Sequence, residues 1–283
     1  MSGLAGLGLN KLENMNIFAD PEKKGEKKKS VVKEVHKLEE KELIYEKNFE
    51  CPVCDNSFTA KIMKTGKAKL LGTDQDLRNR YEGIDALKYD VEMCPCCGYA
   101  ALSRYFPLIS SAQAKLIREN ISQSVKLTVY TDETYSYEQA MERYTLALAC
   151  AVVKRAKNSE KAYICLKTGW LARGYWESLE EAENSEENEE KIEQLKAMEE
   201  EHLLNAYNGF IEARQSETFP MCGMDEKTID YLIAVLATRF KKYDVASKLV
   251  AAILTSPSVN ARTKDKAREL KEQILEEIRM QKG

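Results

Sequence analysis

Two pairs of cysteines constrain this sequence more than any other feature. The stretch CPVCDNSF holds Cys51 and Cys54, and the stretch EMCPCCGYAA holds Cys94 and Cys97. Both pairs have the spacing Cys-Pro-x-Cys. Two intervening residues let one tight turn present both sulfurs to the same ion, and a proline after the first cysteine stiffens that turn. The pattern therefore predicts that the two turns meet around one metal ion.

Four thiolates in this arrangement predict a zinc site. Zinc is a borderline-soft ion that prefers four ligands at the corners of a tetrahedron. The alternatives are two unrelated pairs of free cysteines or a thioredoxin-like redox pair, but no α/β unit of the thioredoxin kind surrounds either motif. Four protein ligands leave no position for water or substrate. We therefore expect one structural Zn²⁺, held by Cys51, Cys54, Cys94 and Cys97.

The other cysteines have different expected roles. Cys96 stands between two predicted ligands, and one tight turn cannot direct neighbouring side chains at the same metal equally well. We expect it to be a spare thiol facing solvent, and a candidate redox site or alternate ligand. Cys150, Cys165 and Cys222 are scattered through apolar helical surroundings, so we expect them to be buried and inert.

The chain divides into three predicted parts. Residues 1–47 include a run, 21–47, with nine Lys and seven Glu, which is typical of a flexible charged tether. Residues 48–103 contain both cysteine pairs and are predicted to form a Cys₄ zinc ribbon. Residues 104–283 are predicted to form a helical, tetratricopeptide-like domain. The expected fold class is α+β, mostly α, with a small β zinc ribbon followed by this helical domain.

Alternation of apolar and polar residues marks the predicted strands of the ribbon. Phe58, Ala60 and Ile62 alternate with polar residues, and residues 87–93 repeat the pattern. A period of two indicates half-buried strands.

Helical periodicity begins at Ser110 and continues to the end. The segments Ser110-Ser-Ala-Gln113 and Ser136-Tyr-Glu-Gln139 match the capping box that opens helices. Breaks between the periodic segments predict helices near 111–123, 137–156, 160–180, 188–214, 226–240, 243–254 and 260–280.

Residues 231–254 resemble a tetratricopeptide unit. Ala234 and Ala246 stand where two helices would cross closely, and apolar side chains would fill the space between them. Residues 161–177 resemble another first helix, with Gly169 at the small position. Because the period is not kept in between, a plain helical bundle is the alternative.

Composition limits the classes of function. The net charge of −3 gives no whole-chain argument for nucleic-acid binding, and residues 50–103 hold 7 Lys and Arg against 8 Asp and Glu. No apolar run approaches the roughly 18 residues of a membrane span, and the N-terminus does not resemble a signal peptide, so we expect a cytoplasmic protein without membrane partners. His36 and His202 are the only histidines, and no Ser/His/Asp arrangement is visible. We therefore predict no catalytic residues and no enzyme.

Three functional hypotheses remain. The first is a non-catalytic adaptor or scaffold that binds protein partners through its helical domain. The second is a zinc-ribbon nucleic-acid-binding or ribosome-associated protein, which the neutral ribbon disfavours. The third is a thiol-based redox sensor at Cys96. Tyrosines in the helical part suit either a binding surface or the interhelical core: Tyr144, Tyr163, Tyr175, Tyr207 and Tyr231.

The stretches CPVCDNSF, RYEGIDALKYDVEMCPCCGYAAL and YLIAVLATRFKKYDVASKLV together resemble the bacterial domain of unknown function family 2225. The resemblance covers roughly residues 45–255. It implies a Cys₄ zinc ribbon joined to tetratricopeptide-like helices, without a particular activity. The chain departs from the family pattern in having Asp55 where glycine is usual and Cys96 where a non-cysteine is usual. The motif cysteines of the family correspond to Cys51, Cys54, Cys94 and Cys97.

Overall fold

A computed structural model describes residues 38–127, 131–182 and 188–282. In these segments, small antiparallel sheets are followed by packed helices, which confirms the predicted fold class of α+β, mostly α. None of the helices it describes is long and apolar enough to cross a membrane. Residues 1–37, which hold most of the predicted tether and His36, lie outside the described residues.

Three antiparallel hairpins form the β part of the described chain. The predicted alternation in the second strand is confirmed, because Phe58 and Ala60 are buried while Ser57 and Thr59 are exposed. The hairpins pair β1 (Ile44–Glu50) with β2 (Ser57–Met63), β3 (Leu70–Thr73) with β4 (Asn79–Tyr81), and β5 (Val91–Met93) with β6 (Ala100–Leu102).

Aromatic side chains anchor the first hairpin. Phe49 of β1 lies opposite Phe58 of β2, and their ring centroids are 5.7 Å apart. Phe106 packs edge-on against both rings, at 6.2 Å and 5.9 Å. Such pairs add to the stabilisation from buried area.

The predicted strand over residues 87–93 is wrong in its first half. Ala86–Tyr89 forms a 3₁₀ helix, and only Val91–Met93 is a strand. Asp85 provides the physical reason, because its Oδ1 accepts a hydrogen bond from the Leu87 amide at 3.0 Å. A side-chain cap of this kind competes with extended pairing, and a period of two in the sequence does not reveal it.

The folded part of the chain begins before the predicted end of the tether. Glu40–Leu43 forms a 3₁₀ helix, and β1 starts at Ile44. The Tyr89 hydroxyl donates to the Glu40 carboxylate at 2.7 Å, which attaches this segment to the rest of the fold. Residues 38–47 therefore belong to the folded part, and the tether boundary predicted at residue 47 lies too late.

The helices lie close to their predicted positions. Both predicted capping boxes are confirmed: the Ser110 and Ser136 side chains accept from the amides of Gln113 and Gln139, whose side chains accept in return. A π-helical turn, Arg118–Ser122, extends the first helix. The helices in the described residues are α1 (Ser111–Ile117), α2 (Tyr137–Val153), α3 (Asn158–Glu180), α4 (Glu189–Ser216), α5 (Glu226–Arg239), α6 (Tyr243–Thr255) and α7 (Ala261–Lys282).

From α2 onward, each helix packs against the next one in sequence. Gly169 marks a close approach of α3 to α4, since a Cβ there would lie 2.9 Å from Leu203 Cδ2. Ala234 of α5 and Ala246 of α6 are fully buried, as expected for residues at a close helix crossing. A tetratricopeptide geometry for the whole array stays a prediction.

Most of the tyrosines considered for a binding surface belong to the core. Tyr163 alone among the five is partly exposed. Tyr175 stacks on Tyr137 with the ring centroids 5.0 Å apart. Four of the rings are buried, and of these only Tyr175 also lines a surface groove described below: Tyr144, Tyr175, Tyr207 and Tyr231.

The hairpins and the helices share one hydrophobic core. It extends from Val53 in the first hairpin through Ala100 of β6 to Leu171 of α3 and Ile233 of α5. The described residues from 38 onward group as a single compact unit. The core therefore crosses the boundary between the two domains predicted at residue 103.

Candidate metal centre

The two cysteine pairs lie at the tips of two hairpins. They occupy the turns that join β1 to β2 and β5 to β6: Cys51 with Cys54, and Cys94 with Cys97. A hairpin tip is held by the strand pairing on both sides, so each turn presents its two sulfurs from a defined backbone.

The two turns share one backbone pattern. Asp55 N donates to Cys51 O at 2.9 Å, and Gly98 N donates to Cys94 O at 3.0 Å. Asp55 has φ 58° and Gly98 has φ 74°, so both residues adopt the left-handed conformation, which glycine adopts freely and which aspartate tolerates better than most residues. In each turn, the amides two and three residues after the first cysteine donate to its sulfur. Such hydrogen bonds favour the thiolate over the thiol.

The four sulfur atoms form a compact cluster. Cys51 Sγ lies 3.5 Å from Cys97 Sγ, Cys54 Sγ lies 3.6 Å from Cys94 Sγ, and all four are within 4.8 Å of one another. A zinc–sulfur bond of about 2.3 Å corresponds to a tetrahedron with edges of roughly 3.8 Å. The cluster therefore fits the donor set and the size of a tetrahedral metal site.

Crowding separates the pKa values of the clustered thiols. Hydrogen bonds from Cys51 and Cys97 lower the pKa of the Cys94 thiol. Interaction with Cys94 raises the pKa of Cys51, and interaction with Cys51 raises the pKa of Cys97. Without a metal, the protein therefore favours a thiolate at Cys94 and protonated thiols at Cys51 and Cys97. A divalent cation would replace those protons and remove the repulsion between thiolates.

Helix α2 supports the second turn through a buried thiol. Cys150 Sγ accepts from Ala100 N at 3.5 Å and donates to Gly98 O at 3.7 Å. Burial raises the pKa of Cys150 to about 11, so its thiol stays neutral. Cys165 and Cys222 are also buried, and the predicted burial of all three scattered cysteines is confirmed.

Cys96 faces solvent, as predicted. Its side chain lies next to that of Cys54. Cys54 is half-buried, whereas the other three clustered cysteines are buried. Coulombic repulsion from Cys54 raises the pKa of the Cys96 thiol. The protein alone therefore does not activate Cys96 as a thiolate.

A cluster of buried ion pairs, which no sequence pattern revealed, attaches the β3–β4 hairpin to the helices. Arg173 of α3 donates to Asp76 Oδ2 at 2.6 Å, to Asp74 Oδ2 at 3.3 Å and to Glu199 Oε1 at 2.9 Å. Asp76 and Glu199 are nearly inaccessible. Asp76 and Arg173 are 97 positions apart, and no local pattern in the sequence pairs them.

An apolar groove begins beside the second cysteine pair. Its volume is about 560 Å³. The apolar residues that line it come from β5, the segment after α1, and helices α2, α3 and α4: Met93, Val125, Leu127, Met141, Leu146, Tyr175, Leu195 and Met198. Exposed charges of both signs accompany them: Lys126, Glu138, Glu142 and Lys191. Because Met93 directly precedes Cys94, one hairpin contributes to both the groove and the metal centre.

These features define an α+β protein in which two hairpin tips present a site that could hold a metal ion and a row of helices packs behind them. The chain belongs to the bacterial family described as "Uncharacterized protein conserved in bacteria (DUF2225)", which matches residues 44–274. The family resemblance drawn from the cysteine motifs is thereby confirmed. No curated protein and no solved structure matches the chain.

Proposed function

We propose that this protein is a non-catalytic zinc-binding adaptor that binds protein partners through its helical part. The observation that carries this proposal is the apolar groove beside the cysteine cluster. An apolar recess with polar edges is typical of a site for protein–protein interaction. The proposed site of action is the cytoplasm, where thiols are kept reduced.

The donor set favours zinc as the metal. Cys51, Cys54, Cys94 and Cys97 supply four soft thiolates, the set that is characteristic of structural zinc sites. The ion would join two hairpin tips that are far apart in sequence and stabilise the fold around them. Because all four positions would be filled by protein, the site leaves none for a reacting water, and this supports a structural role.

The proposed occupant of the groove is an amphipathic helix of a protein partner. Met93, Met141 and Met198 line the groove, and flexible thioether side chains adapt to different apolar anchors. Helix-in-groove recognition places such anchors every three or four residues. The exposed charges of both signs along the groove would orient the partner more than they would attract it.

Capture of partners from the host of this protein tests the proposal with a matched pair of variants on α4. Met198 lines the groove and is 36% exposed, whereas Leu204 lies outside it and is 39% exposed. Met198→Glu should lose the main protein captured by the tagged full-length chain, and Leu204→Glu should retain it. Loss of that protein with both variants, or with neither, would contradict the groove as the binding site.

The same experiment addresses nucleic-acid binding by the ribbon. Two of the basic residues in the ribbon, Arg78 and Arg80, pair with the carboxylates of Asp74 and Glu177 and are not free for phosphates. A captured partner that is lost after nuclease treatment and at high salt would replace the adaptor with the nucleic-acid-binding or ribosome-associated alternative.

A redox sensor at Cys96 is the second candidate, because Cys96 is exposed beside the half-buried Cys54. Oxidation of Cys96 would place a reactive sulfur next to a metal ligand and promote loss of the ion. Mild peroxide should then release zinc from the protein, and Cys96→Ser should prevent the release. Equal release from both proteins would exclude this function.

A further inference from the structure

An arginine contacts the first cysteine turn from outside the sulfur cluster. Arg118 begins the π-helical turn that follows α1, and its Nη1 donates to the carbonyl oxygen of Val53 at 2.6 Å. Val53 lies between Cys51 and Cys54 and is buried. The residue before the arginine, Ile117, is fully buried in the core that also contains the cysteine turn. The backbone from which the arginine reaches the turn is therefore fixed by packing.

This hydrogen bond acts on a peptide group that also faces the sulfur cluster. The Val53 carbonyl and the Cys54 amide belong to one planar peptide unit. The Cys54 amide donates to the Cys51 sulfur, so the two ends of the unit contact Arg118 and a predicted metal ligand. Hydrogen bonds in a chain polarise one another, and a charged donor at the carbonyl makes the amide at the other end a stronger donor. Arg118 therefore orients this peptide unit and strengthens its hydrogen bond to the sulfur.

No carboxylate accounts for the position of the Arg118 side chain. Within the described residues Arg118 forms no ion pair, and the carboxylate of the next residue, Glu119, lies 3.7 Å from the Lys115 ammonium instead. Four thiolates around one divalent cation carry a net negative charge. A guanidinium one peptide unit away from a ligand sulfur would stabilise that charge.

We propose that Arg118 is a positioning residue of the metal centre, which raises metal affinity by orienting and polarising the peptide unit between Val53 and Cys54. This inference rests on the proposed zinc site and adds a residue beyond the four cysteines. Arg118 supports the first turn as the Cys150 thiol of α2 supports the second. Groups that orient metal ligands without binding the metal commonly change its affinity by roughly 10- to 100-fold.

Competition for zinc between a chelator and the full-length protein measures this contribution. Arg118→Met removes the donor and the charge, and it should weaken zinc binding at least about tenfold. Arg118→Lys keeps a charged donor and should restore most of the affinity. Lys115→Met is the matched control, because Lys115 is exposed on the preceding helical turn and pairs with Glu119. It should bind zinc as tightly as the wild type.

Cobalt substitution distinguishes positioning from a general loss of stability. Co²⁺ occupies the same kinds of site as Zn²⁺, and thiolate ligands give it sulfur-to-metal charge-transfer absorption. A weaker hydrogen bond leaves the lone pairs of the Cys51 thiolate at higher energy. The charge-transfer band of Arg118→Met should therefore move to longer wavelength, whereas Arg118→Lys and Lys115→Met should keep the wild-type band.

Three outcomes would overturn the inference. The first is that Arg118→Met binds zinc within about twofold of Lys115→Met. The second is a loss of zinc affinity in Arg118→Met without a shift of the cobalt band, which would make the role of Arg118 structural only. The third is a wild-type protein without thiolate bands, which would overturn the proposed metal centre as well. Wild-type bands that Arg118→Met leaves unchanged overturn only this inference.

Discussion

Gly98→Ala is expected to destabilise the second cysteine turn for two separable reasons. Gly98 has φ 74°, and an L-residue with a Cβ pays about 1–2 kcal/mol in the left-handed region. In addition, a Cβ at this position would lie 2.6 Å from Val125 Cγ1 and 3.3 Å from Val125 Cγ2. Valine is stiff at χ1, so relief of the clash requires movement of the segment, at about 1–3 kcal/mol. The expected total is roughly 2–5 kcal/mol.

A double-mutant cycle with Val125→Ala separates the two contributions. Removal of both Cγ atoms leaves only Val125 Cβ, 3.4 Å from the new methyl group, which is an ordinary van der Waals contact. In the Val125→Ala background, Gly98→Ala should therefore cost only the backbone contribution of about 1–2 kcal/mol. The coupling energy between the two substitutions should be about 1–3 kcal/mol.

Urea unfolding followed by far-ultraviolet circular dichroism, at a constant free zinc concentration, measures each free energy of unfolding. Gly72→Ala is the control, because a methyl group there would have no neighbouring atom within 4 Å and the φ of Gly72 is not left-handed; it should be nearly neutral. A cost for Gly98→Ala that is the same with and without Val125→Ala would refute the steric argument. If Gly98→Ala lowers the free energy of unfolding by less than about 1 kcal/mol both with and without Val125→Ala, the argument from the left-handed conformation of Gly98 is refuted as well.

Further predictions concern the metal, the buried charges and a helix cap. Elemental analysis should find one zinc per chain in the wild type and in Cys96→Ser but none in Cys94→Ser. Chelation of the zinc should lower the midpoint of a single unfolding transition, because the hairpins and the helices share one core. Arg173→Met should cost about 3–5 kcal/mol of stability, since it leaves buried carboxylates unpaired, whereas Arg80→Met, at a side chain 44% exposed, should cost less than about 1 kcal/mol. Asp225→Ala should cost about 1 kcal/mol at neutral pH, because the Asp225 carboxylate caps α5. Hydrogen bonding to the Thr228 amide holds the pKa of Asp225 below its ordinary 3.8. The stabilisation that the Asp225 carboxylate provides is therefore fully present above its ordinary pKa of 3.8. It is lost as the pH falls through the lower pKa that Asp225 has in the folded protein. Denaturation between pH 7 and pH 3 checks this, and a difference between the two proteins that does not shrink in acid would contradict it.

Local signals in the sequence were sufficient to locate the helices and the cysteine turns. A capping box lies within four residues, so Ser110 and Ser136 marked two helix starts without any knowledge of the tertiary fold. The cysteine spacing similarly predicted which four sulfurs would come together, and the structure brings those four together.

Features that depend on tertiary contacts could not be predicted from the sequence. The polar side of the predicted strand over 87–93 includes Glu92, which the fold buries beside a cavity rather than exposing. Alternation indicates that a residue lies on the second face of a strand, but another layer of structure can cover that face. The ion pairs of Arg173 and the burial of the tyrosines have the same origin, since both arise where separate elements meet.

The third hairpin would make the affinities for the proposed metal and for the proposed partner interdependent. Strand β5 is only three residues long, its last residue Met93 lines the groove, and the next residue, Cys94, belongs to the sulfur cluster. So short a segment cannot shift at one end and stay in place at the other. Suppose that a partner binds the metal-loaded protein more tightly than the metal-free protein by some ratio. By thermodynamic reciprocity, the bound partner must then raise the protein's affinity for the metal by the same ratio. A tenfold preference corresponds to a coupling free energy of about 1.4 kcal/mol. The free metal concentration in the cell would then regulate when the protein associates with the proposed partner.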